Sequence, residues 1–229
     1  MKETLSSFLK SKKALWIPVA VLILVLGCLA AGIAPYMTLY HWELPQAAQD
    51  RGGWQAEETA RAFGRFAGMM ADHFKGRVRH YFTLNEPQCT TSLGYAQGIH
   101  APGLRLELPE QFRVHVHQMM AHGLAQRSIK QADPRASVGI ASTGNLCYPE
   151  TEIPENIDSA RQATFATDAA NWIFTHQWLL DPICLGKFPH CAGTVLEPLV
   201  QSVTPEQLAI IHTVPDMLGY NIYNGHGVR

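Results

Sequence analysis

Charge excess is the first thing this sequence lacks. Its 229 residues carry 18 Lys or Arg against 19 Asp or Glu, a formal net charge of −1. Setting aside Lys2, Glu3, Lys10, Lys12 and Lys13 at the amino terminus leaves 14 basic against 18 acidic residues. A nucleic-acid partner needs a basic face to displace counterions, so no nucleic acid is expected here. Paired cysteines are also missing. Cys28, Cys89, Cys147, Cys184 and Cys191 are odd in number and scattered, with no C-x-x-C and no histidine at finger-like spacing, which argues against a disulfide frame or a zinc site. They read as mostly buried thiols. His115, His117 and His122 occupy a helical stretch in which 117 does not share the face of the other two, so they read as core or helix-surface histidines and not as metal ligands. No internal repeat or low-complexity tract is present. At 47% hydrophobic and 16% charged residues, the chain has the composition of a protein that buries a core.

Charge is absent altogether from Ala14 to Trp42. About 20 apolar residues suffice to cross a bilayer, so residues 14–31 are long enough for a membrane helix, and the preceding lysines would keep that end in the cytoplasm. A cleaved secretory signal competes with this, because Ala30, Ala31 and Gly32 follow an apolar run. "VLGC" ending at Cys28 loosely resembles a lipobox. Anchor or signal would give a membrane-attached or exported protein; a buried helix would leave it cytoplasmic. The chain accordingly divides into a basic, apolar start at 1–28 and a folded region at 29–229.

Past Gly32, four short apolar or β-branched runs appear: Pro35–Tyr40, Val78–Leu84, Ala136–Ala141 and Leu218–Tyr223. Helical patterns separate them. Ala60, Phe63, Ala67, Met70 and Phe74 form a stripe behind the first-turn acids Glu57 and Glu58. A second helix opens at Pro109 and Glu110 and stops before Pro134, and a third is predicted through "DSARQATFATDAANWIFT", residues 158–175. Strand and helix in alternation imply parallel strands with right-handed crossovers, hence an α/β sheet or barrel.

Polar residues stand where the runs stop: His41, Trp42 and Glu43 after the first, Asn85 and Glu86 after the second, Asn221 and Tyr223 within and at the end of the last. In a (β/α)8 barrel such positions share one mouth. Singly, each has an ordinary structural use. Together an indole, an imidazole, amides and a carboxyl suit a sugar, whose ring packs on the indole while its hydroxyls are hydrogen-bonded. Glycoside cleavage needs one carboxylic acid to protonate the leaving oxygen and a second carboxylate across the sugar, and no metal or organic cofactor.

"AAGIAPYMTLYHWELPQAAQDRGGW", "VRHYFTLNEPQCTTSLGYAQGIHAPG" and "DMLGYNIYNGH" resemble the third, fourth and sixth strand regions of the glycoside hydrolase family 1 β-glucosidases, over Leu29 to Arg229. The resemblance implies a partial (β/α)8 TIM barrel, strands three to six, behind a hydrophobic N-terminal helix. It implies a retaining mechanism on a β-linked oligosaccharide or aryl β-glycoside, with Glu86 as general acid/base. Asn85 would bond the hydroxyl beside the reacting carbon, and His41 and Trp42 would line the glycone subsite. Asn221 and Tyr223 fall on the family's sixth-strand asparagine and on the tyrosine that steadies its nucleophile. Gln88 stands where many members carry a tryptophan beside the aglycone.

The family's nucleophilic glutamate lies in a seventh-strand T-E-N-G block, which does not occur here. The expectation is a truncated β-glycosidase, open at both sheet edges, inactive and poorly stable alone. Its alternative is a membrane-tethered sugar-binding remnant without turnover, and a third possibility is that a second polypeptide supplies the rest of the barrel.

Overall fold

A computed structural model describes residue 27, residues 30–168 and residues 172–229. Most of the apolar segment expected to cross a membrane lies outside the described residues, among which no helix is long and apolar enough to do so.

In chain order the elements are β1 (Tyr36–Tyr40), α1 (Gln46–Gln49), α2 (Glu57–His73), β2 (His80–Asn85), α3 (Pro87–Cys89), α4 (Leu108–Ala132), β3 (Ser137–Thr143), β4 (Cys147–Pro149), α5 (Pro154–Thr164), α6 (His176–Leu185), α7 (Glu197–Gln201), α8 (Pro205–Ile211), β5 (Met217–Asn221) and β6 (His226–Val228). A π-helical turn, Thr90–Ala96, continues α3. β1, β2, β3 and β5 form a four-stranded parallel sheet in that order, the parallel α/β sheet expected from the alternation and the partial barrel that the family resemblance implies. Among the described residues β1 and β5 each pair on one side, and Tyr36, Leu218 and Tyr220 on these edge strands are exposed.

The helices cover one face. α2 turns Ala60, Phe63 and Ala67 inward as its stripe predicts, and Gly64 lets it approach α4 so closely that a Cβ there would stand 2.8 Å from Leu124 Cβ. α4 is enclosed by the sheet, α2 and α8, so even its polar His115, His117, Gln118 and His122 are buried. Each histidine is hydrogen-bonded: His115 to the Trp178 carbonyl, His117 to the Trp54 carbonyl and His122 to the Thr83 hydroxyl. Trp54 and Trp178 are wholly buried, and burial of a large apolar side chain stabilises by about 1.5–3 kcal/mol.

Two expectations need correction. The helix predicted over 158–175 starts earlier, with Pro154 at its first position, and stops at Thr164, because a proline with its preset φ begins a helix better than the downstream stripe does. A separate α6 carries Trp178 and Leu179 into the core. Of the cysteines described, Cys191 is buried while Cys89, Cys147 and Cys184 are half-buried; all four are free thiols. The β4–β6 pair went unpredicted, three-residue strands being too short for periodicity to register.

Candidate active site

β2 brings the key residues to the mouth of the sheet. Its register against β3 shifts between Phe82 and Asn85, which breaks strict alternation at the strand's end. The following proline disfavours the right-handed helical region for Glu86, which adopts φ 47 and ψ 64. A non-glycine residue there costs roughly 1–3 kcal/mol and is held by its surroundings. Glu86 N–H donates to the Ala141 carbonyl at 2.8 Å, and the Glu86 carbonyl accepts from Cys89 N–H at 2.9 Å. The side chain is 1% exposed.

His41, Trp42, Asn221 and Tyr223 converge on Glu86 and its neighbour Asn85, whereas Glu43 lines a separate cavity. Asn221, at the end of β5, donates through Nδ2 to Glu86 Oε1 at 2.6 Å and to Asn85 Oδ1 at 2.9 Å. Tyr223 donates its hydroxyl to the same Oε1 at 3.1 Å. Asn85 Nδ2 meets His41 Nε2 at 3.2 Å, where the amide can only donate and the ring nitrogen must accept. Trp42 Nε1 donates to the Asn85 carbonyl at 3.1 Å, from a backbone with φ 78. One placement differs from expectation: β5 ends at Asn221, and Tyr223 reaches Glu86 from two residues beyond the strand, largely exposed. Without a strand partner its backbone is released from pairing, so the hydroxyl can turn back to the carboxyl.

The electrostatics follow from this packing. Tyr223 is raised above the ordinary tyrosine range by its hydrogen bond to the Glu86 carboxyl and then by that group's charge. Cys89 is pushed up to about 12, first by burial and then by the negative charge of Glu86. Among the described residues the hydrogen-bonded cluster holds one carboxyl group, and no group of three or more His, Cys, Asp or Glu side chains is arranged to hold a metal ion.

Gln88, already noted in the sequence, brings with it neighbours that were not foreseen. Gln88 is fully buried and donates to Ser142 Oγ at 2.8 Å, and Ser142 Oγ lies 2.8 Å from His176 Nδ1. His176, held below the usual imidazole range by burial, packs edge-on against Tyr220. His100 packs against Trp42 at 5.3 Å between ring centroids. Ser142 was within reach of sequence reasoning: the third run continues two residues past Ala141, and polar residues at strand ends were the signal followed elsewhere. A cavity of about 670 Å³, lined by Leu39, Leu44, Ala62, Phe63 and Phe66, opens between β1 and α2, and no member of the Glu86 cluster lines it.

Comparison with known proteins bears directly on this arrangement. The sequence model of glycosyl hydrolase family 1 matches residues 22–229, beginning inside the apolar segment. Beta-glucosidase 1B of Phanerodontia chrysosporium is 35% identical over 214 residues, covering 87% of this chain and 38% of that protein. Beta-glucosidase A of Acetivibrio thermocellus is 30% identical, covering 86% and 43%. Among solved structures, the β-glucosidase of Thermotoga maritima in complex with castanospermine superposes with a TM-score of 0.75 at 28% identity, over 88% of this chain and 44% of that one. Virulence factor SghA of Agrobacterium tumefaciens gives 0.73 at 31%, over 89% and 43%. The chain thus spans about two fifths of the length of the relatives it matches. Agreement of sequence across nearly the whole described region, and of backbone with a segment of these barrels, means that this chain belongs to glycosyl hydrolase family 1.

Proposed function

We propose that the Glu86 cluster is the acid/base half of a retaining β-glycosidase site acting on terminal β-linked sugars of oligosaccharides or aryl glycosides. The observation that carries this reading is the convergence of Asn221 and Tyr223 on a single oxygen of a buried carboxyl group. Both donors take Oε1, so proton transfer falls to Oε2. There Glu86 would protonate the glycosidic oxygen as its bond to the anomeric carbon breaks, and later take a proton from the attacking water. Asn85 and His41, with Trp42 bonded to the Asn85 backbone, would orient the sugar ring.

A retaining mechanism needs a second carboxylate about 5–5.5 Å from the first. The cluster holds one among the described residues, which favours a second reading for the chain acting alone: sugar binding without turnover, tethered to a membrane if residues 14–31 form an anchor.

SghA has been seen with its substrate analog salicin, and the Thermotoga enzyme with castanospermine. The test is calorimetric titration of the purified chain with castanospermine, alongside hydrolysis of 4-nitrophenyl β-glucoside by wild type and Glu86→Gln. Turnover abolished by the substitution supports the first reading. Binding without turnover selects the second. Neither binding nor turnover removes both.

A further inference from the structure

The turn that carries Glu86 is clamped to β3 at two points. Glu86 N–H donates to the Ala141 carbonyl at 2.8 Å, and two residues later the Gln88 amide donates to Ser142 Oγ, also at 2.8 Å. The two anchors are consecutive residues of β3. Gln88 Oε1 is buried and accepts no hydrogen bond among the described residues, so Ser142 is the contact that orients this amide. With Gln88 Nε2 donating, the Ser142 hydroxyl proton is free to point at His176 Nδ1, which then carries its own proton on Nε2.

The far side of β3 is tied to the same place. Ser142 pairs with Tyr220 and Thr143 with Asn221 across the β3–β5 ladder, and Thr143 Oγ1 donates to the Asn221 carbonyl at 3.1 Å. The His176 ring closes the loop by packing edge-on against Tyr220, with ring centroids 5.3 Å apart. Glu86 and the asparagine that donates to it therefore share one reference, the end of β3.

We propose that Gln88, Ser142 and His176 are positioning residues that hold the Glu86 carboxyl in register with Asn221 and Tyr223. None of the three touches Glu86 through its own side chain in the contacts described; each acts through the turn or the ladder. The proposal rests on reading Glu86 as the proton-transferring group, but its test does not require turnover.

The reporter is Tyr223, whose titration is raised because its hydroxyl donates to Glu86. In the full chain labelled with [ζ-13C]tyrosine, the Tyr223 signal is followed against pH in wild type, Ser142→Ala, Gln88→Leu and His176→Ala. The expected result is a fall of the Tyr223 midpoint toward that of a free tyrosine in all three, together with a changed Asn221 side-chain amide resonance. His176→Asn, which keeps a polar atom near the Nδ1 position, should restore the wild-type midpoint. Circular dichroism and the amide spectrum of the buried α4 identify any variant that has failed to fold, and the remaining variants then decide. An unmoved Tyr223 midpoint and Asn221 amide in folded Ser142→Ala and Gln88→Leu overturn the relay. If turnover is detected, Ser142→Ala should lower kcat with KM nearly unchanged. Turnover indifferent to Glu86→Gln defeats the catalytic reading and leaves the relay to be judged by the resonances.

Discussion

Acidification should unfold this protein through two buried histidines that are not members of the Glu86 cluster. His115 and His122 are fully buried on α4, and burial holds both well below the ordinary value of 6.5, at about 4. The unfolded chain therefore binds protons at a higher pH than the folded one does. Stability from these groups is complete above about pH 6.5, falls as pH drops below it, and is exhausted near pH 4. One pKa unit is worth about 1.4 kcal/mol, so at pH 5 each histidine has removed about 2 kcal/mol, and the two together about 4 kcal/mol. Net stabilities of roughly 5–15 kcal/mol make that a large fraction of the whole. His117 and His176 are shifted the same way, by burial, and add to the slope. The assay is urea denaturation followed by tryptophan fluorescence at pH 7.5 and 5.0, for wild type and for a double variant. His115→Gln can still donate to the Trp178 carbonyl, and His122→Asn can still bond Thr83, without either side chain titrating. The double variant should keep about 4 kcal/mol more of its neutral-pH stability at pH 5. Equal losses in the two proteins would refute the assignment of acid sensitivity to α4.

Four further outcomes follow. Asn221→Ala removes a donor shared by Glu86 and Asn85, and should weaken castanospermine binding or turnover by about 1–3 kcal/mol, roughly 10–100-fold, as read by calorimetry or initial rates. Gly123→Ala would place a Cβ 2.0 Å from the Ile210 carbonyl oxygen where α4 meets α8, and should destabilise by about 1–3 kcal/mol or more in urea denaturation, whereas a neutral result would mean that α8 shifts freely. With its thiol pushed up to about 12, Cys89 should react with iodoacetamide at pH 8 roughly 100-fold or more slower than free cysteine, as followed by peptide mass spectrometry. If residues 14–31 anchor the chain, the intact protein should sediment with membranes after an alkaline wash and a variant lacking residues 1–28 should not.

The sheet was legible in the sequence because its strands are buried on the helix side and punctuated by Pro and polar residues, so each apolar run has sharp ends. α2 and α4 were legible for a similar reason: first-turn acids, Pro109 and the stop before Pro134 mark boundaries that owe little to tertiary contacts. The helix predicted over 158–175 was misread because its pattern runs past the end of α5 and across a short helical turn up to Thr175, the residue that caps α6, and residue-to-residue periodicity does not register where one element stops and the next begins. β4 and β6 pair across a long sequence separation with three residues each, which leaves no local signal.

For the site, the constellation of polar residues at strand ends, together with the family resemblance, picked out His41, Trp42, Asn85, Glu86, Asn221 and Tyr223, although each residue singly has an ordinary structural use. What they do to one another was decided by the fold. That Asn221 and Tyr223 both choose Glu86 Oε1, that Gln88 turns inward to Ser142, and that His176 and Tyr220 close behind them depend on the pairing of β3 with β5 and on a left-handed turn at Glu86. Residue types and their spacing specify which groups a strand delivers to the mouth of the sheet; hydrogen bonds between residues more than a hundred positions apart exist only once parallel register has brought those ends together.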